Sequence, residues 1–183
     1  MDEIVMDRAV LAATEALLDG LGHSGREGVI GTPKRVAKFW AEFLSPEPFE
    51  FTTFEGDGAD QMVVQLAIPF YSVCEHHLLP FFGVASVGYV PSGRIVGLSK
   101  LARAVQWYAR RPQNQERITE QVADLLMDKL TPAGVGVQLR ARHLCMEMRG
   151  VRAAGVETVT TAVRGVFRED AAARGEFLAA VRG

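Results

Sequence analysis

The chain is poor in the residues that bind soft metal ions, with two cysteines and four histidines among 183 residues. It has no apolar run long enough to span a bilayer, and Met1 to Ile4 do not open a basic segment followed by an apolar one, which argues against a signal peptide. Its 20 basic and 22 acidic residues give a net charge of −2, so no bulk attraction to nucleic acid or membrane is expected. We therefore expect a cytoplasmic protein, in which cysteines serve metal binding or catalysis more often than disulfides.

Both cysteines and three of the four histidines fall into two clusters. Cys74, His76 and His77 form one, and His143 and Cys145 form the other. Two thiolates and one imidazole suit zinc, and a site with three protein ligands keeps a position for water. Such a water becomes a nucleophile near neutral pH, which suggests a zinc hydrolase with Cys74, His77 and Cys145 as ligands. On spacing alone, two buried structural cysteines or a Cys74–Cys145 disulfide remain alternatives.

Two histidines are left over beside the expected ligands. A non-ligating imidazole next to an activated water is a natural proton carrier, and this role fits His76 and His143. Spacing supports equally well a structural histidine that orients a metal ligand.

Hydrophobic periodicity predicts an α+β fold with a mainly antiparallel sheet in one domain spanning residues 1–183. Thr32 is a candidate N-cap of the second helix, with Pro33 at its first position, and Ser99 is a candidate cap of a later helix. Alternation from Gln61 predicts a half-buried strand. A second alternation runs from Val135 to Cys145 and places His143 and Cys145 together on the inward face.

Several basic groups suggest a binding site for a polyphosphate. Ser99 lies at a predicted helix N-terminus, where free N–H groups favour an anion, and Lys100 and Arg103 share one helical face. Arg35 and Lys38 repeat this spacing on an earlier helix, and Arg149 follows the second metal cluster. Any one of these charges, taken alone, is more simply an ordinary solvated group.

A further candidate substrate site lies at the start of a predicted helix and consists of Gln115 and Glu116. A carboxylate can accept two parallel hydrogen bonds from the N–H and NH2 groups of guanine. An acidic residue in the first turn also interacts favourably with the helix dipole, and this simpler explanation is preferred from these two residues alone.

Taken together, these motifs resemble those of GTP cyclohydrolase I. The matching runs follow one another in order from about Asp7 and are Thr32–Ala37, Ser72–Phe81, Gly97–Arg103, Gln115–Arg117, His143–Met146 and Met148–Val151. The Cys-Glu-His-His and Gly-Leu-Ser-Lys-Leu-Ala-Arg sequences are together highly specific. Minor departures from the family pattern occur at Asn114, Arg140, Arg142 and Glu147.

The resemblance implies a tunnelling fold, with N-terminal helices over about 7–45 and a core over about 61–183. It also implies a homodecamer of two stacked pentamers that binds GTP at subunit interfaces. Zinc would be held by Cys74, His77 and Cys145, and its water would attack C8 of guanine while His76 and His143 move protons. Formate would leave, and the product would be 7,8-dihydroneopterin triphosphate, the first intermediate of tetrahydrofolate biosynthesis. The residues implied to bind GTP are Arg35, Lys38, Ser99, Lys100, Arg103, Gln115, Glu116 and Arg149.

Two other classes of protein are alternatives to this enzyme. A non-catalytic relative could bind a pterin or nucleotide, but the presence of both His76 and His143 beside a full ligand set argues against it. A tunnelling-fold enzyme acting on a queuosine precursor would need a different cysteine motif or a histidine-rich zinc site, and neither pattern is present. A member that feeds a deazapurine pathway remains an alternative.

Overall fold

The computed structural model describes residues 3–182, which divide into two compact units after Pro46. Met1 and Asp2, part of the segment that argues against a signal peptide, lie outside the described residues. Within residues 3–182, no helix combines the length and the apolar character that a bilayer crossing requires.

The first unit consists of helices. Helix α1 spans Glu3–Gly20, a 3-10 turn spans Glu27–Val29, and α2 spans Thr32–Phe43 and packs against α1. Gly31 is the N-cap residue of α2, so the prediction that Thr32 is the cap is wrong by one position. Pro33 lies in the first turn, where the missing N–H of proline leaves no helical hydrogen bond unmade.

The second unit is built on a five-stranded sheet in the order β5-β2-β3-β6-β7. Neighbouring strands are antiparallel except β5, which pairs in parallel with the end of β2. Strands β1 and β4 form a separate antiparallel pair. The predicted α+β class with a mainly antiparallel sheet is therefore confirmed. The strands are β1 (Thr53–Glu55), β2 (Val63–Cys74), β3 (Pro80–Val90), β4 (Arg94–Val96), β5 (Pro112–Gln113), β6 (Gly134–His143) and β7 (Glu157–Gly165).

Five helices belong to this second unit, and two of them cover one face of the sheet. Helices α3 and α4 pack against its strands and against each other, and their apolar residues form the core with the inward residues of β3 and β6. Ile118, Val122 and Leu126 of α4 are fully buried, and full burial of such a side chain stabilises the fold by about 1.5–3 kcal/mol. The helices are α3 (Leu98–Ala109), α4 (Gln115–Leu130), α5 (Leu144–Glu147), α6 (Val166–Glu169) and α7 (Ala171–Arg182).

The start of α3 differs from the sequence prediction. Gly97 is its N-cap residue, and Ser99 lies inside the first turn, so Ser99 does not cap the helix. Leu98 is exposed, whereas Leu101 and Val105 are fully buried. The helix therefore begins two residues earlier than predicted.

The two predicted alternations are each interrupted once. In β2 the register with β3 shifts between Gln65 and Ile68, and Ala67 has a left-handed φ of 54°, so Leu66 points to solvent. A bulge of this kind adds a residue and reverses the faces beyond it. In β6 the strand ends at His143, and Cys145 lies in α5 instead of on the strand face.

Strands β3 and β6 approach each other so closely at Gly83 that a larger residue there should destabilise the sheet. A Cβ atom at Gly83 would lie 1.9 Å from the backbone oxygen of Arg140 on the neighbouring strand. Gly83→Ala should therefore force the strands apart and destabilise the protein by about 1–3 kcal/mol in thermal or urea unfolding. Gly175→Ala is the matched control, because nothing lies within 4 Å of a Cβ there and alanine favours a helix. Equal stability of the two variants would contradict the close packing at Gly83.

Candidate metal centre

The first half of the metal centre is a tight turn at the end of β2. Cys74 is the last residue of that strand; its N–H donates to the Leu79 carbonyl (2.9 Å), and its carbonyl accepts from the Leu78 N–H (2.8 Å). Leu78 adopts a left-handed φ of 52°, which lets the chain reverse within five residues. The reversal brings His77 back beside Cys74, with 3.5 Å between His77 Nδ1 and Cys74 Sγ.

The second half of the metal centre lies at the end of β6. His143 pairs with Phe81 of β3, and α5 then turns Cys145 toward the end of β2. One donor atom each of Cys74, His77 and Cys145 lies within 4.8 Å of the others. Zinc bond lengths of about 2.0–2.3 Å and tetrahedral angles place neighbouring donors about 3.5–3.8 Å apart, so this set fits a zinc-sized ion with small adjustments.

Both cysteines are free, so the alternative of a Cys74–Cys145 disulfide is not realised. Burial raises the pKa of the Cys145 thiol, and the neighbouring Cys74 raises it further, while Arg149 acts in the opposite direction. A cation bound at this place must therefore displace a proton from Cys145.

His143 is held beside this centre by two partners. Its Nε2 lies 2.8 Å from Gln115 Oε1, and its ring stacks on Phe81 at a centroid distance of 4.6 Å and an interplanar angle of 5°. Burial lowers the pKa of His143, and the nearby Glu116 carboxylate opposes that effect. Gln115, expected to contact substrate, has its side chain occupied by protein partners and is 1% exposed.

His76 lies at the exposed edge of the same turn. Its Nδ1 is 3.8 Å from Cys74 Sγ, and its Nε2 is 3.9 Å from a carboxylate oxygen of Glu75. Both predicted proton carriers and all three predicted ligands thus lie at one end of the sheet.

Sequence reasoning missed the residues that fasten the turn to α4. The Glu75 carboxylate accepts two hydrogen bonds from Arg117, at 2.6 and 3.1 Å, and one from the Asn114 amide at 3.1 Å. These bonds hold the pKa of Glu75 below its ordinary value, with Arg117 as the largest cause. Asn114 also caps α4 by accepting from the Arg117 N–H. The cap could have been found from an asparagine at the helix start, but the pairing with Glu75 has no signal in the sequence.

A second missed pair fastens the segment that carries Cys145. Arg142 donates two hydrogen bonds to Glu147, at 2.8 and 2.6 Å, and the Glu147 side chain is only 9% exposed. Beyond α5, the Ala153 N–H donates to the Met146 carbonyl, and Arg149 Nη1 reaches His77 Nε2 at 2.9 Å. Among the predicted phosphate ligands within residues 47–182, Arg149 is therefore the one that directly contacts a member of the cluster.

The other predicted substrate residues are placed as follows. Glu116 lies exposed on the first turn of α4, near His143. Ser99 and Arg103 are exposed on α3, and Lys100 is half-buried on the same helix. Among residues 47–182 no hydrogen bond or ion pair joins α3 to the cysteine–histidine cluster. Arg35 and Lys38 are exposed on α2 of the helical unit.

Comparisons with known proteins agree on one family. The family model described as GTP cyclohydrolase I matches residues 10–182. The protein "GTP cyclohydrolase 1" of Geobacillus sp. (strain WCH70) is 52% identical over 177 residues, covering 93% of this chain and 94% of the relative. That of Aquifex aeolicus (strain VF5) is 51% identical over 173 residues, with the same two coverages. A solved structure of archaeosine synthase QueF-Like in the apo form has 19% identity and a TM-score of 0.44, and the match covers 58% of this chain and 94% of that one.

The Arg142–Glu147 pair should limit the mobility of the segment that carries Cys145. Arg142→Gln removes the paired hydrogen bonds, so the amide of Ala153 should exchange its hydrogen faster in a hydrogen-exchange measurement. Arg140→Gln is the matched control on the same strand face, because Arg140 approaches Glu157 only to 3.8 Å. If both variants exchange at the parent rate, the pair does not order the segment.

Proposed function

The chain belongs to the GTP cyclohydrolase I family, and we propose that it acts on GTP with a zinc ion held by Cys74, His77 and Cys145. Its reaction converts GTP to 7,8-dihydroneopterin triphosphate, an entry step of pterin and folate biosynthesis. The convergence of two thiols and one imidazole within 4.8 Å carries the proposal for zinc. Because thiolate ligands must stay reduced, the cytoplasm is the compartment that suits this site.

The type and number of the donor atoms favour zinc over other metal ions. Thiolate and imidazole are its usual ligands, and a zinc ion held by these three residues would supply a water that ionises near pH 7 as a nucleophile. The Arg149 guanidinium beside His77 adds positive charge to the same end of the sheet.

We assign the movement of protons to the two remaining histidines. His143 is half-buried, is fixed by Gln115 and Phe81, and its lowered pKa leaves the ring neutral and able to accept a proton near pH 7. His76 is exposed and lies against Cys74, where it can exchange protons with solvent. This difference in burial suits His143 as an acid–base group in contact with the substrate and His76 as one in contact with solvent.

We assign recognition of the base to Glu116 and recognition of the triphosphate to the basic residues. Glu116 lies near His143, so a guanine held by its carboxylate would bring the imidazole ring of the base toward the metal centre. Arg149 already touches His77, which supports a phosphate contact close to the reacting atoms. The remaining proposed contacts, which match the family motifs, are Arg35, Lys38, Ser99, Lys100 and Arg103.

The tunnelling fold and a homodecamer of two pentamers are also proposed from the family. Two features of the sheet support an assembly through its edges. Strand β7 is the last strand on one side, and on the other side β5 pairs with only Val73 and Cys74 of β2. Open edges present unpaired N–H and C=O groups to another chain. Leu78, Met148 and Val151 are exposed apolar residues next to the proposed metal and phosphate ligands, which fits a site completed at a subunit interface.

Removal of one thiol should abolish metal binding. Cys145→Ala deletes an anionic ligand, so the purified variant should lose zinc, measured by elemental analysis, together with the fluorescence of oxidised neopterin formed from GTP. His76→Ala is the control: it should retain about one zinc ion per chain and lose turnover by up to about 10²–10⁴-fold, as expected for an acid–base group. Full zinc content in the Cys145→Ala protein would overturn the ligand assignment.

Glu116 should determine the choice of base. The carboxylate accepts from N1–H and the 2-amino group of guanine, and adenine offers neither donor, so ATP would leave the carboxylate unpaired. Glu116→Gln should therefore lose GTP turnover and preference over ATP while folding and zinc content persist. Asp128→Asn, at the exposed far end of the same helix, should behave as the parent. If the Glu116→Gln enzyme keeps the parent's rate of GTP turnover and its preference for GTP over ATP, Glu116 does not recognise the base and is only an acidic residue in the first helical turn.

A further inference from the structure

We propose that Gln115 is a positioning residue that fixes both the orientation and the tautomer of His143. The proton of the neutral ring lies on Nε2, and Nδ1 is the nitrogen left for chemistry. This inference rests on the proposed function, because it specifies which atom of the proposed proton carrier accepts a proton. It also gives Gln115 a role different from the substrate contact that its motif implies.

The orientation of the Gln115 amide follows from its surroundings. Its nitrogen lies 3.1 Å from the Leu139 carbonyl oxygen and 3.0 Å from that of Thr158. A carbonyl oxygen can only accept hydrogen bonds, so the NH2 group of Gln115 must face this pair. The flipped amide would place its own oxygen against two carbonyl oxygens inside a buried site.

Two threonines support the same orientation. The Gln115 amide nitrogen lies 3.1 Å from Thr160 Oγ1, which is 2.6 Å from Thr119 Oγ1, and the Thr119 hydroxyl donates to the Gln115 backbone carbonyl at 2.8 Å. If Thr160 accepts one of the two Gln115 amide hydrogens and donates to Thr119, each of the two hydroxyls donates once and accepts once, and the Leu139 and Thr158 carbonyl oxygens share the second amide hydrogen. The hydrogen bonds then close into a ring that begins and ends on Gln115, which leaves its side chain little freedom.

The tautomer of His143 is a direct consequence. With the NH2 group committed elsewhere, Gln115 presents only its Oε1 acceptor to the imidazole, at 2.8 Å from Nε2. Nε2 must therefore carry the hydrogen, and the lone pair of the neutral ring lies on Nδ1. Within residues 3–182, no hydrogen bond engages Nδ1, so this atom stays available to a substrate or a water.

The ring plane is fixed by a separate contact. Phe81 is the cross-strand partner of His143, and their rings are parallel to within 5°. Stacking on Phe81 fixes the plane of the imidazole, and the bond to Gln115 fixes its rotation within that plane. The two contacts together place Nδ1 at one defined point before substrate binds, which is how a positioned acid–base group gains its rate advantage.

Nitrogen NMR of the zinc-loaded enzyme tests the tautomer directly. With ¹⁵N-labelled histidine only four rings contribute, and His143→Ala identifies the signals of His143. We expect a protonated-type Nε2 and a lone-pair-type Nδ1 in the parent. In Gln115→Met, which keeps the side-chain length but loses the acceptor, we expect both tautomers to be populated. A parent ring with hydrogen on Nδ1 overturns the inference by itself, even if Gln115→Met fails to fold.

A second buried glutamine provides the matched control. Gln113 is as buried as Gln115 and also uses its amide within the protein, donating to the Tyr108 carbonyl and Gln121, but it does not touch His143. Gln113→Met should therefore cost comparable packing and hydrogen bonding and still leave the His143 tautomer unchanged. An equal change in both variants would mean that general loosening, not the Gln115 acceptor, controls the ring.

Kinetics complete the test. Gln115→Met should lower kcat about 10–100-fold, the usual effect of losing a partner that orients a functional histidine, with KM for GTP and zinc content near the parent's values. A raised KM at unchanged kcat would instead make Gln115 a substrate contact and overturn the positioning role, as would an unchanged tautomer. If the parent shows the expected tautomer but no turnover of GTP, the proposed function fails and not the assignment of the tautomer.

Discussion

The register of the central strand β3 with its two neighbours is the constraint on which the metal centre depends. The turn after Cys74 leads directly into β3, and His143 at the end of β6 lies opposite Phe81 near the start of β3. The ends of β2 and β6 are thereby held at the same end of the sheet. A slip of β6 by two residues would preserve its inward and outward faces but move Cys145 by about 7 Å, beyond the reach of a shared ion.

Helix α4 connects the parts of this centre because its first turn lies between them. Asn114 caps the helix and binds Glu75 of the metal turn, while Gln115 binds His143 and Glu116 lies exposed for a ligand. Three consecutive residues thus serve the turn, the proposed proton carrier and the proposed base site. The buried side of α4 packs into the core, which anchors the helix that carries these contacts.

Much of the site could be predicted from the sequence, because the cysteines and histidines are few and concentrated. Alternation along β6 correctly placed His143 inward. It was wrong for Cys145, because the strand changes to a helical turn after His143 and no residue there signals the change. The partnership of Glu75 with Arg117 joins residues 42 positions apart, and only the paired strands bring them together. The family motif suggested Gln115 for the substrate, but its burial and hydrogen-bond partners depend on the packing of α4 against β6 and β7, which no local pattern reveals.

The separation of the two thiols along the chain has a thermodynamic consequence. Cys74 and Cys145 lie about seventy residues apart in the sequence, and the segment between them contains most of the sheet and both core helices. In the unfolded chain, bringing their ends together costs loop-closure entropy that grows with the logarithm of the loop length. An ion held by both thiols therefore acts as a long-range cross-link, and its binding energy becomes part of the folding energy. A shortage of the ion in the cell would therefore lower the amount of folded protein as well as the catalytic activity.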